Sequence, residues 1–215
     1  MTLLTQTYTA EDLWELSGEP DYAGLRLELS EGELIVMSPA GGSHGVIALR
    51  LGRFMGDFVE AQQLGFVFGA ETGFVLDTGT GSAYTVRAPD VAYVSRDRLP
   101  GGAPDRFVPL APDLAVEVVS PNDRADEVNR KLLDYLRYNT RLVWLVYPAT
   151  HTIVVHDGAA ARVLGENDLL DGGAVLPGFT LPVKRVFEGQ PGLTSRRESA
   201  GACGCRSRVQ ISSPA

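Results

Sequence analysis

At 215 residues, 44% of them hydrophobic and 21% charged, the chain has the size and balance of one globular domain, which excludes a disordered or fibrous polymer and removes any need for disulfide staples. No apolar run approaches the ~18 residues of a membrane-spanning helix: Leu142–Tyr147 and Leu114–Val119 stop after six. The formal net charge is −8; the segment from Gly189 to Ala215 carries four arginines against one glutamate (+3), so residues 1–188 hold −11, which repels a polyanion at long range unless a local basic patch prevails.

Met1–Tyr8 lacks the basic start and long apolar core of a secretory signal, so a cytoplasmic address is expected. Thr9 is placed to cap a short helix, with Asp12 at the third position in place of the capping-box glutamate and Leu13, Trp14 and Leu16 as its apolar side. Gly18-Glu19-Pro20 ends it. Leu25–Leu29 then alternates with period two, Ser30-Glu31-Gly32 turns, and Glu33–Met37 returns, which predicts a β-hairpin. After the Pro39–Gly42 loop, Ser43 caps a long helix from about His44 to Gln62, with Val46, Leu49, Phe54, Phe58 and Ala61 marking the buried side.

Strands are predicted at Gly65–Gly69 and Gly73–Leu76, with the Asp77–Ala83 turn leading to a third. Ala88-Pro89-Asp90 opens a short core strand, Val91–Val94, and the Pro- and Gly-rich stretch from Ser95 to Pro112 is a loop. Asp113–Val119 reads as a strand, Asp126–Tyr138 as a helix and Leu142–Tyr147 as a central strand, together a βαβ unit. His151–His156 and Ala161–Leu164 form a terminal hairpin. The result is a mixed α/β sheet flanked by helices, with one domain over residues 1–188. Residues 189–215, rich in Gly, Ser and Arg and without periodicity, read as a disordered tail. Cys203 and Cys205 stand there one residue apart, too few ligands for a structural zinc site.

Glu117 interrupts an apolar run that otherwise reads as a strand buried on both faces, and an unpaired carboxylate there costs several kcal/mol. It therefore needs a partner: a cation such as an arginine, a metal or a hydrogen-bond network. Asp90, at the mouth of another apolar strand, is its natural companion, and two converging carboxylates resist joint ionisation unless a divalent cation sits between them. Two side-chain oxygen ligands, with water and substrate phosphate completing the shell, suit Mg²⁺. Lys131 lies in the next helix, followed at i+4 and i+7 by Tyr135 and Tyr138, and could equally form a surface pair with Glu127. Arg26, Glu28 and Ser30 share a strand face, read as solvated. His44, beside Gly-Gly-Ser, can contact phosphate or simply cap and pack, whereas His151 and His156 fall on opposite faces of one strand and look structural. A P-loop, GxGxxG, HExxH and GxSxG are all missing, which argues against the corresponding enzymes.

Taken in order, Arg26-Leu-Glu28 through Gly32 to Pro39, then His44, Ala88-Pro89-Asp90-Val-Ala-Tyr-Val, Pro112-Asp113 through Glu117 to Pro121, Lys131 with Tyr135, and Val143-Trp144-Leu-Val resemble the Uma-two endonuclease family, a branch of the restriction-endonuclease-like PD-(D/E)xK superfamily. The resemblance spans roughly Tyr8 to Phe187 and implies a restriction-endonuclease-like mixed sheet with an N-terminal hairpin. It further implies a phosphodiesterase site in which Asp90 and Glu117 hold Mg²⁺ (or Mn²⁺) with a main-chain carbonyl near Val118 or Val119. The usual lysine position is Val119 here, and Lys131 matches a lysine moved to the next helix; Glu28 and His44 match recurrent positions. Asn139-Thr140-Arg141 and Tyr147 depart from the pattern, Tyr147 standing where many relatives carry aspartate.

The implied function is a Mg²⁺-dependent endonuclease on nucleic acid, DNA before RNA, acting as a homodimer with no membrane partner. A catalytically inactive domain that keeps the fold for binding or assembly is the alternative, supported by the acidic body. A third reading makes the acids an ion-pair network with arginines such as Arg87 or Arg124.

Overall fold

Thr9 starts the first helix as expected. Its hydroxyl accepts from the Asp12 amide at 3.1 Å and the Asp12 carboxylate accepts from the Thr9 amide at 2.7 Å, a capping box closed by aspartate. In this computed structural model, which describes residues 6–77, 84–158 and 160–191, that helix is α1 (Ala10–Ser17). It buries Leu13, while Trp14 stays half-exposed against Phe107.

The hairpin follows from its turn. β1 (Arg26–Ser30) and β2 (Glu33–Met37) are joined by Glu31 and Gly32, whose φ angles of 49° and 83° are both left-handed, the geometry that matches strand twist in a two-residue loop. With β4 (Phe74–Asp77) and β5 (Thr85–Arg87) it forms a four-stranded sheet in the order β2-β1-β5-β4. The larger sheet has six strands: β3 (Gly65–Gly69), β6 (Val91–Ser95), β7 (Leu114–Val118), β8 (Leu142–Tyr147), β9 (Thr152–His156) and β10 (Ala161–Leu164), in the order β10-β9-β8-β7-β6-β3. β7 and β8 pair in parallel across the helix α3 (Ala125–Arg137), and their neighbours pair antiparallel. The expected mixed sheet flanked by helices is therefore the architecture. Asn139, with φ at 67°, makes the left-handed exit from α3.

Alternation along the six-stranded sheet sorts its two faces. Val91, Tyr93, Leu114, Val116 and Val118 pack toward the helix α2 (Gly42–Ala61), whereas Ala92, Val94 and Ala115 pack toward α3 with Leu132 and Tyr135. Three features differ from expectation. The buried stripe of α2 is Ile47, Ala48, Leu51, Met55 and Val59, and Leu49 is 76% exposed with Val46 at 45%. Phe54 and Phe58 are partly buried and Ala61 is exposed, so the helix is rotated from the phase read in the sequence. Its cap is Gly41, which offers no side chain, and Ser43 instead donates to the Gln190 side chain at 2.7 Å. Beyond β10, a two-stranded sheet of β11 (Leu169–Gly172) and β12 (Leu176–Pro182) and a short helix, α4 (Val183–Val186), were not anticipated; they close the core beneath α2 through Leu170, Leu176, Phe179 and Val186.

Among the described residues no helix is long and apolar enough to cross a membrane. Most of the segment read as a tail, 192–215 with Cys203 and Cys205, lies outside the described residues, as does most of the Asp77–Ala83 turn.

The rotation of α2 is directly testable. Leu51→Ala should lower unfolding free energy by about 2–5 kcal/mol in urea titrations, the usual cost of emptying a leucine site in a core. Leu49→Ala should change it by no more than about 0.5 kcal/mol, as surface substitutions do.

Candidate active site

The same alternation that sorts the core brings the two expected acids together. Asp90 stands one residue before β6 and shares the α3 face with Ala92 and Val94; Glu117 stands on β7 and shares it with Ala115. The antiparallel register pairs Val91 with Val116, and Asp90 continues it, its amide donating to the Val116 carbonyl at 3.0 Å. Asp90 and Glu117 thus face one cleft at the same end of the sheet, 2% and 7% exposed, and Lys131 and His44 line it too. The cleft holds about 1470 Å³ and runs between α2, β3 and the loops after β2, β7 and β8.

Each acid is held. Asp90 Oδ2 accepts from the Val118 amide at 2.7 Å and lies 3.1 Å from His44 Nε2; its Oδ1 accepts from Arg26 Nη1 at 2.9 Å. Burial opposes its ionisation, but the His44 hydrogen bond, the Arg26 charge and the Val118 amide together bring its pKa down to about 2. Glu117 Oε1 accepts from the Tyr135 hydroxyl at 2.6 Å and Oε2 from Lys131 Nζ at 3.3 Å. Here burial wins: the carboxyl is pushed above its ordinary value, relieved in part by Lys131 and pushed further by Asp90 and Glu28. Burial works against the Lys131 charge, yet Glu117 and Glu28 raise its pKa overall, so it is a fixed cation and no base.

Glu28 is where expectation and structure part. The face it shares with Arg26 and Ser30 is not solvated: Lys131 of α3 and Arg87 of β5 reach Glu28, which is fully buried. Its carboxylate accepts from Arg87 Nη1 at 3.0 Å, Lys131 Nζ at 3.1 Å, the Ala88 amide at 3.2 Å and Arg26 Nη2 at 3.4 Å. Arg87 in turn pairs with Asp134 on α3, its Nε donating at 2.9 Å. Lys131 therefore does not make the surface pair with Glu127 considered from the sequence; Glu127 is exposed beside Arg124. Arg124 is likewise turned to Asp126, away from the site. An arginine does reach the acids, but it is Arg26.

Arg26, Asp134 and Tyr135 were not assigned to the site from the sequence, although Tyr135 was noted beside Lys131, and Arg26 lies two residues from Glu28 on the same face. Arg87 was considered as an ion-pair partner for Asp90 and Glu117; its carboxylates are instead Glu28 and Asp134. Asp134 carries no such local signal. His151 sits in the turn before β9 with φ at 52°, outside the strand assigned to it; its Nδ1 lies 2.6 Å from Glu166 and its ring stacks on Phe187, a packing role.

The donor set fits a hard divalent cation. Asp90 and Glu117 offer carboxylate oxygens from adjacent strands, and Glu117 in particular is a buried acid whose ionisation is not fully compensated. Among the described residues no three His, Cys, Asp or Glu side chains gather to hold a metal by themselves. Two carboxylates, with water and substrate supplying the remaining oxygens, is how Mg²⁺ is usually bound.

Residues 10–184 match the model of the Uma2 family, described as "Putative restriction endonuclease". Among solved structures, a chain described as a "putative nuclease belonging to DUF820" from Anabaena variabilis ATCC 29413 superposes with a TM-score of 0.69 at 22% identity, over 83% of this chain and 97% of that one. This likeness shows that the two chains share a fold. No curated protein matches the chain.

Two outcomes follow from the buried charges. Arg87→Met should cost about 3–5 kcal/mol in urea unfolding, because Glu28 and Asp134 lose a fully buried partner. His44 has a raised pKa: burial opposes its charge, and the Asp90 hydrogen bond and charge overcome that. Its stabilising contribution is therefore present below pH 6.5, the ordinary histidine value, and is lost as pH rises through the raised one. In cation-free buffer the stability gap between the native protein and His44→Gln should be widest below pH 6.5, narrow above it and close once pH has passed the raised value.

Proposed function

The chain belongs to the Uma2 family, described as "Putative restriction endonuclease", and on that premise we propose that it is a Mg²⁺-dependent nuclease that hydrolyses phosphodiester bonds, with DNA as substrate. The observation that carries this reading is the meeting of Asp90, just before β6, Glu117 on β7 and Lys131 on α3 at one cleft. Asp90 and Glu117 would hold the cation, Mg²⁺ first and Mn²⁺ as a substitute. When bound, it supplies positive charge to the scissile phosphate and acidifies water.

The remaining work falls to the chain. Lys131, permanently charged, orients the attacking water and stabilises the charge that accumulates at phosphorus. Tyr135 and Lys131 fix the Glu117 carboxylate, one on each oxygen. His44 and the Val118 amide do the same for Asp90 Oδ2. Glu28, fully buried and accepting from four donors, positions Lys131 and Arg26. A homodimer belongs to the same proposal, since cutting both strands of a duplex takes two sites.

One observation favours a non-catalytic domain instead: Arg26, His44 and Lys131 already give both acids cationic partners. On that reading Mg²⁺ does not bind. Calorimetric titration separates the two, a site abolished in Asp90→Asn supporting the enzyme.

Glu117→Gln should reduce Mg²⁺-dependent nicking of a supercoiled plasmid to the level seen with EDTA, with the circular dichroism spectrum unchanged. Cleavage at the native rate in that variant would remove Glu117 from the site.

A further inference from the structure

Arg26 is placed where the proposed cation needs room. Its guanidinium reaches from β1 across to the other sheet, donating to Asp90 Oδ1 at 2.9 Å, to Glu28 Oε1 at 3.4 Å and, through Nη2, to the Ala88 carbonyl. Those bonds use three of its five N–H groups. Nε is buried without an acceptor, which is unusual for a charged donor whose desolvation has to be offset. The guanidinium also borders the cleft. Asp90 thus has Arg26 on the oxygen not engaged by Val118 and His44.

The local charge balance gives this arrangement a direction. Four carboxylates (Glu28, Asp90, Glu117 and Asp134) face three permanent cations, Arg26, Arg87 and Lys131. Arg87 is buried between Glu28 and Asp134, and Lys131 is shared by Glu28 and Glu117; Arg26, tied to Asp90 and Glu28, lines the cleft and keeps a second Nη1 N–H beyond the one on Asp90. A divalent ion on Asp90 would add like charge beside the guanidinium and compete with it for the same carboxylate. The same ion would bring a phosphate anion to the cleft, and a guanidinium with free N–H groups is the side chain best shaped to receive it.

Resting on the nuclease reading, we propose that Arg26 is an exchangeable counter-cation. It neutralises Asp90 while the site holds no metal, yields that carboxylate to the divalent ion, and donates the freed Nη1 N–H to a non-bridging oxygen of the substrate phosphate. It is thereby a catalytic residue of the site beyond Asp90, Glu117 and Lys131. Two of its present bonds, to Glu28 and the Ala88 carbonyl, anchor the guanidinium during the exchange. No covalent bond changes in this step, only hydrogen-bond partners.

The proposal commits to opposite signs in two measurements. By calorimetric titration, Arg26→Gln should bind Mg²⁺ about tenfold more tightly than the native protein, the scale on which a neighbouring charge moves an ionic equilibrium. At saturating Mg²⁺ the same variant should nick plasmid about 100-fold more slowly, as when a transition-state donor is removed. Arg26→Lys keeps the charge and guards against misfolding of the neutral variant. A single ammonium cannot span Asp90, Glu28 and Ala88, so Mg²⁺ affinity should be equal or tighter while cleavage falls about tenfold. Weaker Mg²⁺ binding in either variant, or undiminished cleavage, overturns the role of Arg26. If that happens while Asp90→Asn still abolishes Mg²⁺ binding, the nuclease reading survives; if the native protein takes up no cation at all, both fall.

Discussion

A carboxylate with no solvent exposure organises this molecule. Glu28 accepts from donors on three separate elements: Arg26 on its own strand β1, Arg87 and the Ala88 amide at the end of β5, and Lys131 on α3. Burying it is tolerable only because every donor is present at once; remove one and a charge is stranded where water cannot reach it. The requirement is geometric as much as energetic. It fixes the four-stranded sheet against α3, and α3 lies on the six-stranded sheet through Leu132 and Tyr135. The two sheets and α3 are therefore set relative to one another by ionic contacts as well as by apolar packing.

That has consequences for how α3 is used. On one stretch, Lys131, Asp134 and Tyr135 stand at i, i+3 and i+4, one helical face, and all three meet charged partners: Glu28 and Glu117, Arg87, and Glu117. Such a face is a poor source of net stability, since apolar residues of equal volume hold a helix as well or better. Its value lies in orientation. Lys131 Nζ and the Tyr135 hydroxyl take different oxygens of one carboxylate, so the helix cannot slide by a residue without losing both. Precision at Glu117 thus comes from a network whose other end is anchored in the N-terminal sheet.

The sequence revealed what is periodic and local. Glu117 was visible because a single acid interrupts five apolar neighbours, and Asp90 because it opens the adjacent apolar strand after a proline; strand alternation then put both on one face. The Thr9–Asp12 cap and the Glu31-Gly32 turn were legible from side-chain chemistry at fixed offsets. What periodicity cannot say is which element covers a face. Arg26 and Glu28 alternate correctly with Leu27 and Leu29, yet only the tertiary placement of α3, more than ninety residues later, makes that face interior. The phase of α2 was misread for a related reason. Val46, Phe54 and Phe58 form a second apolar stripe beside Ile47, Leu51, Met55 and Val59, and composition does not rank two stripes on one helix. β11 and β12 escaped notice because prolines and glycines within Leu176–Pro182 weaken the strand signal.

The acidity of the chain bears on how such a site can act. Residues 1–188 carry a net charge of −11, against −8 for the whole chain, and the outer walls of the cleft add Asp57, Glu60, Glu71 and Asp123 against Arg53. A nucleic acid gains little here from the long-range steering that basic grooves supply. Inside, the four buried carboxylates and three permanent cations leave the site close to neutral. On the proposed reading, then, positive charge appears in the cleft only once the acids have been given a divalent partner, and a phosphate is attracted locally and late. An acidic body with a near-neutral pocket is in that sense consistent with a nuclease that engages one phosphate at its centre, and much less so with one that grips a long stretch of backbone.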